Sequence, residues 1–334
     1  MQVVDIKISN KLRNMSFVCS LLVVLVHIWH PRQGTASWWI YELTSFREIA
    51  VPYFFFASGY FLAGHIGESN WWHKALVQRV RSLLVPYLIW SVLWVVAVFV
   101  CCLVFYDVSY ISKWVDFSDL FGWNPFRPPS PEHLWYLRSL MILIVISPLL
   151  VKILRWRPLL ILGIALLNIF FYRGNTYNTL GYLIDRTLAA GFLFYFLLGM
   201  SLRLELIRVK LSVKTPVAIG VAIAIWGVSH VFVATGCLRV AQLALVQMST
   251  LLWLYCFWRL MPSVEWPSGL TSLSFPIYLT HWVFVQLVVN TFFSNATPSA
   301  LVLKATVALV GSFFVAVLLK KILNGYSKWF FGGR

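Results

Sequence analysis

The sequence predicts an all-α protein, a polytopic membrane bundle of about ten transmembrane helices with both termini in the cytoplasm. Three observations predict this fold class. Of the 334 residues, 60% are hydrophobic and 11% are charged, whereas soluble domains have about 45–50% apolar and about 25% charged residues. The mean hydropathy is +0.80, and the apolar residues form long runs. Aromatic residues make up 17% of the chain, which is typical of the belts at membrane interfaces.

The composition excludes a soluble globular enzyme, a disordered tail and a nucleic-acid reader. Lys and Arg number 27 and Asp and Glu number 11, which gives a net charge of +16. A nucleic-acid-binding protein carries such a charge on polar faces, but here the basic residues lie between apolar runs. The five cysteines lie in or beside those runs without a C-x-x-C pair. They predict buried thiols, no disulfide framework and no metal site.

Ten apolar segments predict helices that cross about 30 Å of hydrocarbon. The first segment follows Lys7, Lys11 and Arg13 as in a signal sequence. We expect it to be retained as an anchor, because no small-residue cleavage site follows His27. The fifth and sixth segments are short. The predicted spans are 14–30, 49–65, 83–106, 134–151, 158–172, 187–202, 215–235, 240–258, 273–293 and 300–319.

The basic residues between the spans predict the orientation. Segments on the N-terminal side carry 18 Lys and Arg, the opposite segments carry 7, and Arg138 and Lys304 lie within spans. Because basic loops stay in the cytoplasm, this bias predicts that both termini are cytoplasmic. The longest loop, 107–133, is too short for a separate domain, so we expect a single membrane-embedded domain over residues 1–334.

Histidines within the spans are candidate functional residues, because ionisable groups are costly in lipid. His27 is predicted to lie about 15 Å along the first helix from Phe17, near the membrane midplane. Arg13 is predicted to point to nearly the same face about 21 Å nearer the cytoplasm. His281 is expected at a depth comparable to that of His27. A neutral imidazole suits general-base catalysis, and the alternative is that each histidine only holds two helices together.

Four further groups of residues combine polar or small side chains with a position in or beside a span. Ser58 and Gly59 allow the close approach of a backbone or ligand. Arg79 and Arg81 either fix the orientation or bind a cytoplasmic polyphosphate. On the predicted outer side, Arg47 and Glu48 pair with each other or bind a polar acceptor. Glu132 and His133 lie at the same surface, and Arg138 just below it extends to the surface or pairs with another residue.

In this order the segments resemble acyltransferase family 3 of integral membrane proteins, over almost the whole chain. Members often have Arg and then, after ten residues, His in the first span. Here that Arg position is Ser16, so either Arg13 fills the role with a longer reach or the role has moved. The matching elements are His27, Ser58-Gly59-Tyr60, Arg79 and Arg81 before Pro86-Tyr87, His133-Leu134-Trp135-Tyr136-Leu137, and Tyr278-Leu279-Thr280-His281.

The resemblance implies transfer of an acyl group, usually acetyl, from cytoplasmic acyl-CoA to a sugar hydroxyl of a lipid-linked or surface glycan. The expected location is the lipid bilayer of a bacterial cytoplasmic membrane, with acyl-CoA as co-substrate and no permanently bound cofactor. His27 either deprotonates the hydroxyl or accepts the acyl group itself. The alternative function is a glycan or lipid transporter or flippase on the same scaffold.

Each candidate residue receives an expected role from this resemblance. The catalytic candidates are His27 and Arg13. The donor-binding candidates are Arg79, Arg81, Ser58 and Gly59. The acceptor-side candidates are Arg47, Glu48, His133 and Arg138, and the supporting candidates are Tyr278 and His281.

Overall fold

The computed structural model describes residues 6–28, 44–105, 132–172, 191–208, 212–234, 239–293 and 297–333. Within these ranges the chain is helical apart from turns and an isolated bridge between Ile66 and Glu68, which confirms the all-α class. The predicted loop 107–133 lies almost entirely outside the described residues. The main helices are α1 (Ile6–Ile28), α2 (Ala50–Ala63), α3 (Trp71–Arg79), α4 (Val85–Phe105), α5 (Trp135–Val145), α6 (Ser147–Trp156), α7 (Pro158–Tyr172), α8 (Leu193–Arg203), α9 (Thr215–Ala234), α10 (Arg239–Leu260), α11 (Ser274–Phe284) and α12 (Pro298–Ile322).

Short elements join or extend these helices. Two π-helical turns follow α3 and α11, at Val80–Leu84 and Val285–Val289. Since α3 continues through its π turn into α4, a helix of 34 residues extends over Trp71–Val104. The remaining short elements are the 3-10 turns Ser45–Ile49, Glu132–Leu134 and Asn324–Tyr326, and the helices Ser268–Thr271, Asn290–Phe292 and Ser327–Phe330.

Every predicted span overlaps a helix, but the number of spans remains a prediction. Among the described residues, three helices are long and apolar enough to cross a membrane, namely Ile6–Ile28, Trp71–Val104 and Pro298–Ile322. A fourth is added if α5 and α6 together form one broken span. The helix α8 and the described parts of α7 and α9 are apolar but shorter. The predicted orientation of the termini is likewise still a prediction.

The expectation of one continuous fourth helix over 134–151 is wrong. The axes of α5 and α6 differ by 63° at this break. Pro148, at the second position of α6, has no N–H to donate and its ring crowds the carbonyl of the preceding turn. The hydroxyl of Ser147 donates instead to the carbonyl of Ile144, at 2.7 Å. The apolar run therefore forms two helices.

The chain divides into two compact units. The first comprises Met1–Gly64 and Leu198–Ile322, and the second comprises His65–Leu197 and Leu323–Arg334. In the first unit α1 packs against α2, α11 and α12, and α9 pairs with α10. In the second unit the indole of Trp90 donates to the carbonyl of Phe330 at 3.0 Å, which holds the C-terminal segment against α4. The expected single domain over residues 1–334 remains a prediction.

Two glycines permit close helix packing in the first unit. A Cβ atom at Gly199 would overlap the carbonyl of Phe56, so α8 lies directly on the backbone of α2. A Cβ at Gly311 would overlap the ring of Phe284, which brings α11 and α12 together. Small residues at such contacts let helices approach in the absence of a hydrophobic driving force.

We expect Gly199→Ala to destabilise the protein by about 1–3 kcal/mol, because the added methyl group meets backbone that cannot move aside. Gly220→Ala in α9 is the matched control, since no heavy atom would lie within 4 Å of a Cβ added there. That change should be neutral or stabilising by up to about 1 kcal/mol, from helix propensity alone. Thermal unfolding in detergent measures both variants, and equal Tm values for them would contradict this packing.

Candidate active site

Two histidine rings from different helices meet in the first unit. His27 is the penultimate residue of α1, and its ring centroid lies 5.3 Å from that of His281 in α11. The rings of Trp282 and His27 lie nearly at a right angle, with 4.7 Å between their centroids. The direct packing of α1 on α11 therefore places the two histidines of the sequence prediction side by side.

The orientation of His281 is fixed by its own helix. Its side chain is fully buried, and Nδ1 lies 2.7 Å from the carbonyl oxygen of Tyr278 and 3.1 Å from that of Ile277. Because a carbonyl oxygen only accepts hydrogen bonds, Nδ1 carries the proton and donates it. The neutral ring then has its lone pair on Nε2.

His27 differs from His281 in exposure, since His27 is only half-buried. A group that transfers a proton must come within hydrogen-bond distance of the reactant. Of the two rings, His27 is therefore the one suited to meet a substrate, while His281 and Trp282 form the wall behind it. The catalytic role of His27 remains a prediction.

Aromatic rings continue this wall beyond His281. The ring of Tyr278 is buried and lies 6.1 Å from that of His281. It stacks on Phe275 at 6.1 Å and meets the edge of Phe54 from α2 at 6.3 Å. Tyr278 and His281, the predicted supporting pair, thus share one environment on α11. On α2, Gly59 is buried and Ser58 is half-buried.

Ser16, which replaces the expected arginine, belongs to a neutral hydrogen-bonded cluster. Its hydroxyl donates to the carbonyl of Leu12 at 2.8 Å and lies 3.1 Å from the hydroxyl of Tyr53. The hydroxyl of Ser274 donates to the carbonyl of Ser16 at 2.8 Å. This cluster joins α1, α2 and α11 without a cation.

The side chain of Arg13 lies toward the N-terminal end of α1 and is largely exposed. Its Nη1 is 3.6 Å from Oε1 of Glu265, and the two side chains are 58% and 64% exposed. An exposed pair of this kind contributes little to stability. Arg13 therefore supplies a solvent-accessible cation about 21 Å along the helix from His27.

A cavity of about 450 Å³, here called the amino-terminal cavity, opens beside the first turns of α1. It combines aromatic walls with nearby cations. The guanidinium of Arg203 lies 5.6 Å from the centre of the Tyr60 ring, and Nζ of Lys11 lies 5.3 Å from that of the Trp258 ring. The lining residues are Ile8, Leu12, Phe56, Tyr60, Leu202, Tyr255, Trp258 and Arg259.

Sequence reasoning missed Arg203 and Arg259 as site residues. In the sequence both belong to the 18 basic residues that predict the orientation. The available signal was the presence of Tyr255 and Trp258 within one turn of Arg259, at the end of a span. Which aromatic residue would approach Arg203 from another helix could not be read from the sequence.

Arg47 forms a buried pair with its neighbour. Its side chain is 1% exposed, and Nε lies 3.6 Å from Oε1 of Glu48. Nη1 also donates to the hydroxyl and the carbonyl of Thr44, at 2.7 and 3.1 Å. Pairing within the group was one of the two expected outcomes, and binding of an acceptor remains a prediction.

The remaining candidate residues belong to the second unit. Arg79 ends α3 and is half-buried, while Arg81 lies in the following π turn and is exposed. His133 is buried in the 3-10 turn before α5. Arg138 lines an apolar cavity of about 300 Å³ together with Tyr87 and residues of α5. His27 lines neither this cavity nor the amino-terminal cavity.

No group of three or more His, Cys, Asp or Glu side chains is placed to hold a metal ion within the part of the chain that the structure describes. A family model described as an acyltransferase domain matches residues 11–321, which include both histidines of the pair and nearly the whole chain. No curated protein and no solved structure matches the chain.

Proposed function

The chain belongs to acyltransferase family 3, and from this premise we propose that it is a membrane O-acyltransferase of cell-envelope or exported glycans. In this proposal the donor is cytoplasmic acyl-CoA, with acetyl as the default acyl group, and the acceptor is a sugar hydroxyl. The protein acts in the cytoplasmic membrane of a bacterium. The observation that carries the proposal is the contact of the half-buried His27 ring with the fully buried His281 ring.

In the direct route His27 takes the proton of the acceptor hydroxyl as that oxygen attacks the thioester carbonyl. The C–O bond forms, the C–S bond breaks, and the protonated imidazole returns its proton to the departing thiolate of CoA. In the alternative route the imidazole attacks the thioester carbonyl, the C–S bond breaks and CoA leaves as the thiol. The acceptor hydroxyl then attacks the acyl-imidazole, the C–N bond breaks, and the imidazole takes the proton of the hydroxyl. Both routes need an accessible His27 whose ring is held in position. The buried ring of His281, which donates a hydrogen bond to a carbonyl of its own helix, supports this position.

The amino-terminal cavity supports a donor site on the predicted cytoplasmic side. Phosphate groups of CoA require cations, which Arg259 and Arg203 offer, and its adenine ring can stack on aromatic side chains. Leu12 in the cavity wall lies 15 residues before His27, or about 22 Å along α1. The thin pantetheine arm is the part of CoA that would extend over this distance.

We expect Arg259→Glu to raise the KM for acyl-CoA about 10–100-fold, because a cation–phosphate pair is lost and a repulsion is introduced. The KM for the acceptor should change less. Arg208→Glu is the matched control, since Arg208 is exposed and does not line the cavity. Steady-state kinetics with varied acyl-CoA measures both variants, and an unchanged donor KM in Arg259→Glu would place the CoA phosphates elsewhere.

The same kinetic comparison applies to Arg79→Glu and Arg81→Glu in the second unit. The family resemblance implies a different donor site, at Arg79 and Arg81. If the phosphates bind there, each of these variants raises the KM for acyl-CoA more than that for the acceptor. If only Arg259→Glu has this effect, the phosphates bind at the amino-terminal cavity. If only the second-unit variants have it, that cavity is not the donor site.

Incubation of the purified protein with labelled acetyl-CoA and a cell-envelope extract tests the proposed reaction. We expect the label to move to the glycan fraction with the active protein and not with the heat-inactivated protein. A transporter or flippase would leave the label on CoA, and that result would refute acyl transfer.

A further inference from the structure

Helix α12 carries a lysine on the face that it turns toward the other helices. Residue Lys304 is 5% exposed. The buried residues of α12 recur every three or four positions and thus form one face. They are Leu301, Lys304, Ala305, Ala308, Ser312 and Ala316. Since the lipid-accessible side chains, such as Leu303 and Val310, lie on other faces, Lys304 points into the bundle.

Within the described ranges, no hydrogen bond or ion pair joins the ammonium group of Lys304 to another residue. Lys320 on the same helix is different, since its Nζ donates to the hydroxyl of Ser272 at 2.7 Å. A cation inside a membrane bundle normally pairs with an opposite charge or with backbone carbonyls, because its desolvation is costly. Among the described residues no side chain balances this charge, and a bound anion is one source of the balancing charge.

The register of α11 and α12 places Lys304 beyond the histidine pair. Gly311 lies against Phe284, which follows His281 by three residues. Beyond α11 the chain stays helical to Phe292, and α12 begins at Pro298. The two helices therefore run antiparallel. Lys304 precedes Gly311 by seven residues, so it lies farther along the direction in which α11 runs from His281 to Phe284. At about 1.5 Å per residue, Lys304 is about 15 Å from the level of His281, on the side away from the amino-terminal cavity.

We propose that Lys304 binds an anionic group of the acceptor on the outer side of the histidine pair. The inference rests on the proposed function and on the predicted orientation. It narrows the acceptor to a substrate that carries a phosphate or a carboxylate, such as the phosphate of a lipid-linked sugar or the acid group of a uronic acid. An ion pair with Lys304 would hold this group about 15 Å from the level of the histidines, while a sugar hydroxyl farther along the molecule reaches His27.

A thermal-shift experiment on the purified full-length protein tests this site. The probes are inorganic pyrophosphate for a phosphate, glucuronate for a carboxylate and glucose as the neutral comparison. Every sample with a probe contains saturating CoA, so that a donor site is already occupied, and wild-type samples with and without CoA alone give the effect of CoA itself. We expect one of the two anions to raise the Tm of the wild type by roughly 5 °C at saturation and glucose to have no effect. The anion that does so identifies the charged group.

Substitutions at Lys304 test whether the rise in Tm comes from binding of the anion to this side chain. Lys304→Met should lose the shift, and Lys304→Arg, which keeps the charge, should retain part of it. Lys321→Met is the matched control, since it removes one exposed cation from the same helix and should keep the whole shift. If Lys304→Met does not fold, the comparison of Lys304→Gln with Lys304→Arg gives the same assignment.

An equal shift in the wild type and in Lys304→Met would overturn the proposal, as would no shift with either anion. The effect of CoA alone on the Tm distinguishes failure of the Lys304 proposal from failure of the proposed function. If CoA raises the Tm of the wild type and the anions do not, the result supports the donor site and refutes the Lys304 site. If CoA has no effect, the proposed donor has failed independently of Lys304.

Discussion

Replacing His27 by Gln is expected to lower the kcat for acyl transfer by about 1,000-fold or more. The amide of Gln is polar and similar in size, but it neither takes a proton at neutral pH nor accepts an acyl group. General-base and nucleophilic catalysis together account for a loss of this size. The KM for acyl-CoA should stay within about twofold, because His27 lies outside the amino-terminal cavity and a catalytic loss appears in kcat.

His73→Gln is the matched control for this experiment. His73 is exposed on α3, so the same substitution there should leave both kcat and Tm unchanged. The Tm of His27→Gln should also stay close to that of the wild type, since the ring is only half-buried. Activity above about a tenth of the wild-type value in His27→Gln would exclude both catalytic routes.

His281→Ala is expected to reduce both activity and stability. Removal of a fully buried ring leaves a cavity behind His27, and we expect a loss of about 3 kcal/mol in the free energy of unfolding. We expect kcat to fall about 100-fold, because His27 loses the wall that sets its position. Steady-state kinetics and thermal unfolding of the same preparation measure the two effects.

His281→Phe separates packing from orientation. A phenyl ring refills most of the volume, but it has no Nδ1–H to donate to the carbonyls of Tyr278 and Ile277. We therefore expect a Tm near that of the wild type and a kcat that stays at least about 10-fold lower. Wild-type kcat in both His281 variants would show that the ring only packs two helices together.

Local sequence located a helix for each predicted segment, but not the breaks, extensions and partners of the helices. Each of the ten predicted segments overlaps a helix, because a spanning helix must be apolar along its own length. The helical turns from Trp71 that precede the third segment were not predicted. Pro148 was visible in the fourth segment, yet the apolar run around it concealed the 63° break. The count of spans depends on how such bent and short helices sit in lipid, which neither hydropathy nor helix length determines.

The two histidines could be found from the sequence because each is an ionisable group in an apolar run. Their predicted depths are comparable, but their contact was not predicted. The packing of α1 on α11 brings their ring centroids to 5.3 Å. The amino-terminal cavity could not be predicted in this way. Arg203 meets Tyr60 from another helix, and such a contact depends on a close approach at Gly199 that no local pattern specifies.

The altered first-span motif has a physical explanation in the structure. Ser16 occupies the position expected for arginine, and its hydroxyl and carbonyl are engaged by Leu12, Tyr53 and Ser274. A neutral residue is thus accommodated where α1, α2 and α11 meet. The cations near the beginning of α1 are instead Lys7, Lys11, Arg13 and those at the rim of the amino-terminal cavity.

Mass spectrometry of envelope glycans tests the central claim most directly, with cells that carry the wild-type gene, a deletion, or the His27→Gln variant expressed at the wild-type level. The account predicts an acyl mass on a glycan in the wild type that is absent from both the deletion and the variant. An acyl mass that persists in the His27→Gln cells, or that is the same with and without the gene, would contradict it.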